Sequence, residues 1–584
     1  MIERALILTD TDVESRVSQI TEVLRFFGVP SCDSTVGGFI AGQDTGNNNA
    51  SKIRLFCSSD ALWKLIQEFE CNRRGIQLWG EYVHSVFVYA GNNTSVFQRV
   101  ARRLTHDECT PIIQLDRRLG EWIVSDKLPQ FCGVMSGLRI PVSKHADAAD
   151  LGGCGSGDAT TSTDLDRRTA VFSKLHYQAV PVFLSMGHKI VDIDAVIGRG
   201  NFDIREHVLS AAPLVMFVKW AFAETCWKAP EANACLVIDD PLLRPQYGFL
   251  NFQDLLDQMQ HHNFSTSIAF IPWNWRRSSS EVVGLFKANP ERYSLAIHGC
   301  DHTGGEFGTR DRNVLAWKAR QAIDRMSRHE SQTGISYDRI MVFPQGVFSE
   351  PALGVLKHTH FIAAVNTEVL CTDLNRPTIR ISDVWDVAVM NYESFPLFTR
   401  RYPSQGVENF AFDILLGKPC IVVVHHDFCR DQSAHLVEFV NRLNGLNCRL
   451  FWRSLGDVVR RSCRQREVTK GHIETEMYGG ELCLENHSEQ RKRFRITKRE
   501  SNPSAVKGIE VGSRQIRWTY SEWRIDFAIE LAAGQSTTVG ITFHDSFANV
   551  KGRDDVGYKV KAMLRRYLSE MRDNYIVTRR TGLP

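Results

Sequence analysis

Two short stretches hold side chains whose types and spacing could do chemistry. Cys235-Leu-Val-Ile-Asp239-Asp240-Pro241 ends an apolar run in a pair of carboxylates, and Leu295-Ala-Ile-His298-Gly-Cys-Asp-His302-Thr303 ends another in two imidazoles. Adjacent carboxylates must be solvated, paired or bound to a cation, although before Pro241 they also suit a simple turn. Histidines four residues apart suit one divalent ion at ~2.0–2.1 Å from each nitrogen. Cys300 and Asp301 between them are alternative ligands. One carboxylate and two imidazoles leave open positions on such an ion, as a catalytic centre requires. The second carboxylate is then free to act as base on a metal-activated water, whose pKa falls toward ~7.

Further residues extend this chemistry. Phe343-Pro344-Gln345-Gly346 could present backbone N–H groups to a developing oxyanion. Val422-Val-Val-His425-His426-Asp427 supplies a late histidine to protonate a leaving amine. Trp273, Trp275 and Trp385 offer flat faces on which a ligand could stack, or fill the core.

Each of these motifs closes a short apolar run, and the runs repeat. Residues 235–238, 267–271, 295–297, 339–343, 362–365, 387–390 and 420–424 read as strands, with helical stretches at 252–259 and 314–328. Polar residues gathered just beyond strand ends are what a (β/α) barrel rim requires; a doubly wound open sheet is the alternative. The expected fold class is α/β multidomain, with residues 229–465 as the barrel. Residues 1–130 alternate strands and helices and read as a flavodoxin-like accessory domain. Residues 131–228 read as a mixed β and linker region with a Gly-rich loop at 150–163, short strands at 130–135, 179–184 and 189–197, and a helix over 204–227. Residues 466–545 read as a small antiparallel β-sandwich. The segment 546–584 reads as an amphipathic helix whose stripe, Val560, Leu564, Tyr567, Leu568, Met571 and Tyr575, packs back on the body.

Composition narrows the function class. The 584 residues are 43% hydrophobic and 23% charged, which excludes disordered and fibrous readings. Lys and Arg total 70 against 67 Asp and Glu, and so give no argument for a nucleic-acid partner; local clusters such as Arg491-Lys-Arg493 read as solvated faces. No window approaches the ~20 apolar residues of a membrane span; 211–222 contains Lys219. Fifteen cysteines, unpaired in spacing and often within apolar runs, read as reduced thiols in a cytoplasmic protein.

The order of the motifs, Asp-Asp after a strand, His-x-x-x-His, a Pro-containing loop, then an apolar strand ending in His, resembles the polysaccharide deacetylases of carbohydrate esterase family four over residues 230–465. The resemblance implies a distorted (β/α)7 barrel and metal-dependent hydrolytic removal of acetyl from an acetylated, and here N-acetylated, sugar or glycan. It implies Asp239 as general base and Asp240, His298 and His302 as ligands of a divalent metal, Zn²⁺ or else Co²⁺ or Ni²⁺. It makes His426 the general acid, with His425 its nearest rival. Substrate and oxyanion contacts fall on Pro344, Gln345 and Gly346, with Trp273 and Trp275 nearby. Where the family carries Arg-x-Pro-aromatic, this chain has Val342 and Gln345 around Pro344, so the residue holding the base is not apparent. Asp383-Val-Trp-Asp386 is a partial counterpart of the family's Asp-x-x-Asp-Trp. The implied partner is an acetylated carbohydrate, without nucleic acid or membrane span and with oligomerisation open. Rival readings are an inactive barrel serving as a glycan-binding or assembly protein, and a glycosidase using carboxylates alone.

Overall fold

The computed structural model describes residues 4–9, 14–41, 52–71, 79–104, 109–143, 168–198, 200–430, 433–548, 550 and 556–576. The Gly-rich loop expected at 150–163 lies outside them, as does Tyr575 for its side chain. The chain forms two compact units.

The first unit comprises residues 1–195, 203–228 and 466–470. Its sheet carries five parallel strands in the order Ser31–Ser34, Ala5–Leu8, Ile53–Ser58, Val83–Tyr89 and Val180–Ser185, then an antiparallel run through Arg168–Tyr177, Thr110–Asp116, Glu121–Val124 and Arg139–Pro141. The sheet therefore crosses the boundary expected at residue 130, because Val180–Ser185 pairs directly with Val83–Tyr89. Two local expectations also change. Residues 130–135 are helical, not extended, since Pro129 begins the helix Pro129–Cys132. Residues 189–197 form no strand, only a bridge at Val196.

The second unit holds a nearly closed, barrel-like sheet of parallel strands, Leu397–Thr399, Ala363–Asn366, Asp338–Val342, Tyr293–His298, Thr266–Phe270, Ala232–Asp239 and Cys420–Val424 in that order, with Leu450–Trp452 added beside Ala232–Asp239. A single parallel bridge between Arg401 and Val422 joins the two outer strands. Six strands coincide with apolar runs in the sequence; the seventh does not. Residues 387–390 are buried and form no strand, only an antiparallel bridge between Val389 and Leu397, and the strand is Leu397–Thr399. Val387, Ala388 and Met390 still fill the barrel core, so their hydrophobicity records burial without strand pairing.

Two further sheets share a core of Ile473, Leu482, Phe494, Ile509, Phe527 and Val539. They are not wholly antiparallel: His472–Met477 and Lys492–Arg499 run parallel. The connection between them includes Glu481–Glu485, a strand of the opposite sheet, so the chain crosses over before it returns. The helix Val556–Met571 ends in a π-turn, Arg572–Ile576. Its packing reverses the expectation: Ala562, Arg566 and Asp573 are buried, whereas Val560, Leu564, Tyr567, Leu568 and Met571 are each at least 50% exposed.

Candidate active site

The C-terminal ends of neighbouring barrel strands bring the carboxylate pair and the histidine pair to one rim. Asp239 ends its strand, and Asp240 turns out of it at φ 82°; His298 ends the next strand but one, and His302 sits at φ 55°. Left-handed backbone is costly for residues with a Cβ, so two such residues in one cluster mark a locally forced geometry. Gly299 supplies the turn between the histidines. A Cβ there would lie 2.4 Å from Pro344 Cγ and 2.2 Å from Glu306 Oε1, and its φ is 62°. Glu306 then holds the loop by accepting the N–H groups of Cys300, Asp301 and His302 at 2.8, 3.1 and 3.1 Å.

This loop turns two imidazoles onto one oxygen. His298 Nε2 lies 3.3 Å and His302 Nε2 3.1 Å from Asp240 Oδ1. Asp240 Oδ1 nevertheless has no hydrogen-bond partner. His298 Nδ1 lies 3.1 Å from the Val342 carbonyl, an acceptor, so that nitrogen carries the proton and Nε2 of the neutral ring turns a lone pair toward the carboxylate. The His298 lone pair and the Asp240 carboxylate fit a cation bound between them, and the carbonyl is the outer-sphere partner that would fix a ligating imidazole. One ligand atom from each of the three residues lies within 4.8 Å of the others. Burial would raise the Asp240 carboxyl, but the facing histidines hold it well below the usual carboxylate range. Burial opposes charge on His298 too, yet Asp239 and Asp240 raise its pKa.

Cys300 and Asp301 are engaged elsewhere. Asp301 is fully buried against Arg325 Nη1 (2.5 Å), Lys318 Nζ (3.4 Å) and the Tyr558 hydroxyl (2.6 Å). Burial and Asp301 push the Cys300 thiol well above its ordinary value, away from the thiolate that binds metal.

Asp239 is held by a residue the sequence did not reveal. Arg400 donates from Nη1 and Nη2 to its two carboxylate oxygens, both at 2.7 Å, with both side chains buried. Burial would raise Asp239; Arg400 and then His298 lower it instead. The guanidinium missing at Val342 thus arrives from a different strand end, just after Leu397–Thr399.

The two late histidines differ in setting. Ile238 pairs with Val424, so His425 stands level with Asp239 one residue beyond that register. It is half-buried and stacks on Tyr402 with ring centroids 6.3 Å apart. His426 is buried between Tyr247 and Phe249, with Nε2 3.8 Å from Asp573 Oδ1 and Nδ1 without a hydrogen-bond partner. Gly248 presses on it so closely that a Cβ would fall 2.3 Å from Nδ1.

The Pro344 loop spends part of its donor capacity internally. Pro344 has no N–H and Gly346 N–H bonds to Phe343 O at 3.2 Å, so Gln345, at φ 58°, is the residue whose amide no described contact occupies. Trp273 and Trp275 are half-buried, with Arg325 over the first ring at 4.9 Å and Arg276 over the second at 4.3 Å. Trp385 is core, packed on Phe202 and Phe412.

The helix Val556–Met571 and its terminal turn add side chains from more than 250 residues away. Arg566 Nη2 lies 3.2 Å from His302 Nδ1. Asp573 accepts from the Tyr247 hydroxyl at 2.9 Å, Asn574 Oδ1 accepts from Gly248 N–H at 2.7 Å, and Glu570 pairs with Arg277, at 2.7 Å from Nη2. Nothing local in the sequence marks these as site residues.

No family model matches the chain, and no curated protein matches it. Among solved structures it is similar to a Mycobacterium smegmatis protein provisionally assigned as a polysaccharide deacetylase, with 14% identity and TM-score 0.28 over 39% of this chain and 90% of that one. It is similar to a mutant CE4 family pseudoenzyme with restored enzymatic activity, at 11% and 0.26 over 39% of this chain and 68% of that one. A family 4 acetyl xylan esterase from Clostridium thermocellum, in complex with a cobalt ion, matches at 10% and 0.24 over 38% of this chain and 89% of that one. Scores this low carry no functional inference, which rests on the side chains alone.

Proposed function

We propose that the chain is a metal-dependent hydrolase that removes acetyl groups from an N-acetylated carbohydrate. The observation that supports this reading best is the convergence of His298 Nε2 and His302 Nε2 on Asp240 Oδ1, an oxygen with no hydrogen-bond partner, on the rim that also carries Asp239. Asp240, His298 and His302 would hold the ion, Zn²⁺ or a similar divalent metal. Bound there, it supplies Lewis-acid polarisation of an acyl carbonyl.

The chain's own residues do the rest. Asp239, kept ionised by Arg400, takes the proton of the attacking water. The Arg400 fork occupies one lone pair on each carboxylate oxygen and fixes the plane of the group, leaving further lone pairs for that proton. Gln345 N–H is the available loop donor toward the tetrahedral oxyanion. His425, level with Asp239 and partly open, is better suited than the enclosed His426 to return a proton to the leaving amine. His426 instead ties the barrel rim to Asp573.

The test is acetate release from N-acetylated oligosaccharides. Wild type should release acetate in equal amount to new free amine, and Asp239→Asn should lower kcat by a factor on the order of 10² to 10⁴. Turnover that survives Asp239→Asn would overturn the reading.

A further inference from the structure

The helix Val556–Met571 is built the wrong way round for a helix that packs on a core. Val560, Met563, Leu564, Tyr567, Leu568 and Met571 form one stripe, each 45–58% exposed. At about 100° per residue they cover an arc of roughly 140°. The opposite face makes the intramolecular contacts, and these are polar. They include Tyr558 with Asp301 and Lys318, Arg566 with His302, and Glu570 with Arg277. The large side chains of the stripe thus stay at least 45% exposed, although Arg277 lies over the Tyr567 ring at 4.9 Å.

The charges on the helix are sorted in the same way. Lys559, Lys561 and Arg572 are exposed and flank the stripe. Both acidic residues, Glu570 and Asp573, turn inward onto Arg277 and onto Tyr247 and His426. Every exposed residue of the described helix and turn is therefore apolar, glycine or cationic. At 16 residues the helix is about 24 Å long, and its charges exclude a span, but an apolar face between cationic margins suits a helix lying in the plane of an interface.

We propose that this helix docks the protein on an anionic lipid surface, its stripe entering the acyl boundary and Lys559, Lys561 and Arg572 meeting the headgroups. A second copy of the chain is a poorer occupant, since pairing two such helices would bring like charges together. Because the docking face lies opposite the residues that touch His302 and His426, the site keeps its contacts while the helix is bound.

Co-sedimentation of the chain with vesicles tests this. Vesicles of phosphatidylcholine containing phosphatidylglycerol should retain it at low salt, those of phosphatidylcholine alone should not, and raised salt should weaken the binding. Leu564→Ser with Leu568→Ser, and separately Lys559→Glu with Lys561→Glu, should each weaken binding at least tenfold. Because all four positions are exposed, far-UV circular dichroism and divalent-metal affinity should stay unchanged. Failure to bind anionic vesicles at low salt would overturn the proposal, as would equal binding to neutral ones or wild-type binding by both double variants. So would a wild-type dimer dispersed by the leucine substitutions without any vesicle binding.

Discussion

Arg400 decides the behaviour of Asp239, the proposed base. A buried carboxylate left alone has a raised pKa, and an opposite charge in contact lowers it by about 1 to 3 units. Arg400→Gln should therefore move the acid limb of kcat/KM to higher pH, read from a pH–rate profile. The stability effect has a defined sign. The folded pKa of Asp239 is depressed, so the pair's contribution is present above the unfolded carboxylate value of ~3.9 and is lost as pH falls through the folded one. Near neutral pH, Arg400→Gln should cost about 3–5 kcal/mol, the usual penalty for leaving one partner of a buried ion pair, and thermal unfolding in acid should narrow that gap. The histidines separate by the same reasoning. His425→Ala should lower kcat by about 10²-fold or more, and His426→Ala should leave most of the activity while loosening the turn that carries Asp573.

Arg566 sets the terms on which the helix meets the site. A guanidinium only donates, so its 3.2 Å contact makes His302 Nδ1 the acceptor and puts the neutral ring's proton on Nε2, the nitrogen facing Asp240. A neutral His302 that ligates through Nε2 needs that proton on Nδ1, against Arg566. The contact and the ion therefore compete, through tautomer as well as through like charge. Arg566→Ala should tighten divalent-metal binding by roughly tenfold or more, measured by calorimetry, because a neighbouring cation costs on the order of a few kcal/mol at this range. The histidine loop should respond in the opposite direction. Glu306→Gln weakens the charged acceptor of three backbone N–H groups, so it should raise amide exchange across residues 300–302 and lower metal affinity by about 10- to 100-fold.

At the scale of the whole molecule, the barrel was legible because burial on both faces of a parallel sheet writes continuous apolar runs, and six of its seven strands carry one. The seventh was misread. Leu397–Thr399 is three residues long and follows Pro396, whereas 387–390 looked like a strand because its side chains fill the same core. That error concealed Arg400. The proposed ligand triad could be read as residue types at a spacing, and the strand order then brings those residues to one rim. The contributions of Arg566 and Asp573 were illegible for a different reason: no periodicity tells which face of an amphipathic helix turns inward when ion pairs outweigh apolar burial. The division of the first unit was equally hidden, since Val83–Tyr89 pairs with Val180–Ser185 across a long intervening stretch that contains other strands of the same sheet.

The central claim is that Asp240, His298 and His302 form a divalent-metal centre at the barrel rim, and metal stoichiometry measures it most directly. The purified protein, equilibrated with Zn²⁺ or Co²⁺ and freed of excess, should retain one ion per chain by elemental analysis. His298→Ala and Asp240→Asn should retain less than a tenth of that, with far-UV circular dichroism unchanged. A wild-type chain that holds no ion, or a His298→Ala variant that holds as much as wild type, would contradict the claim.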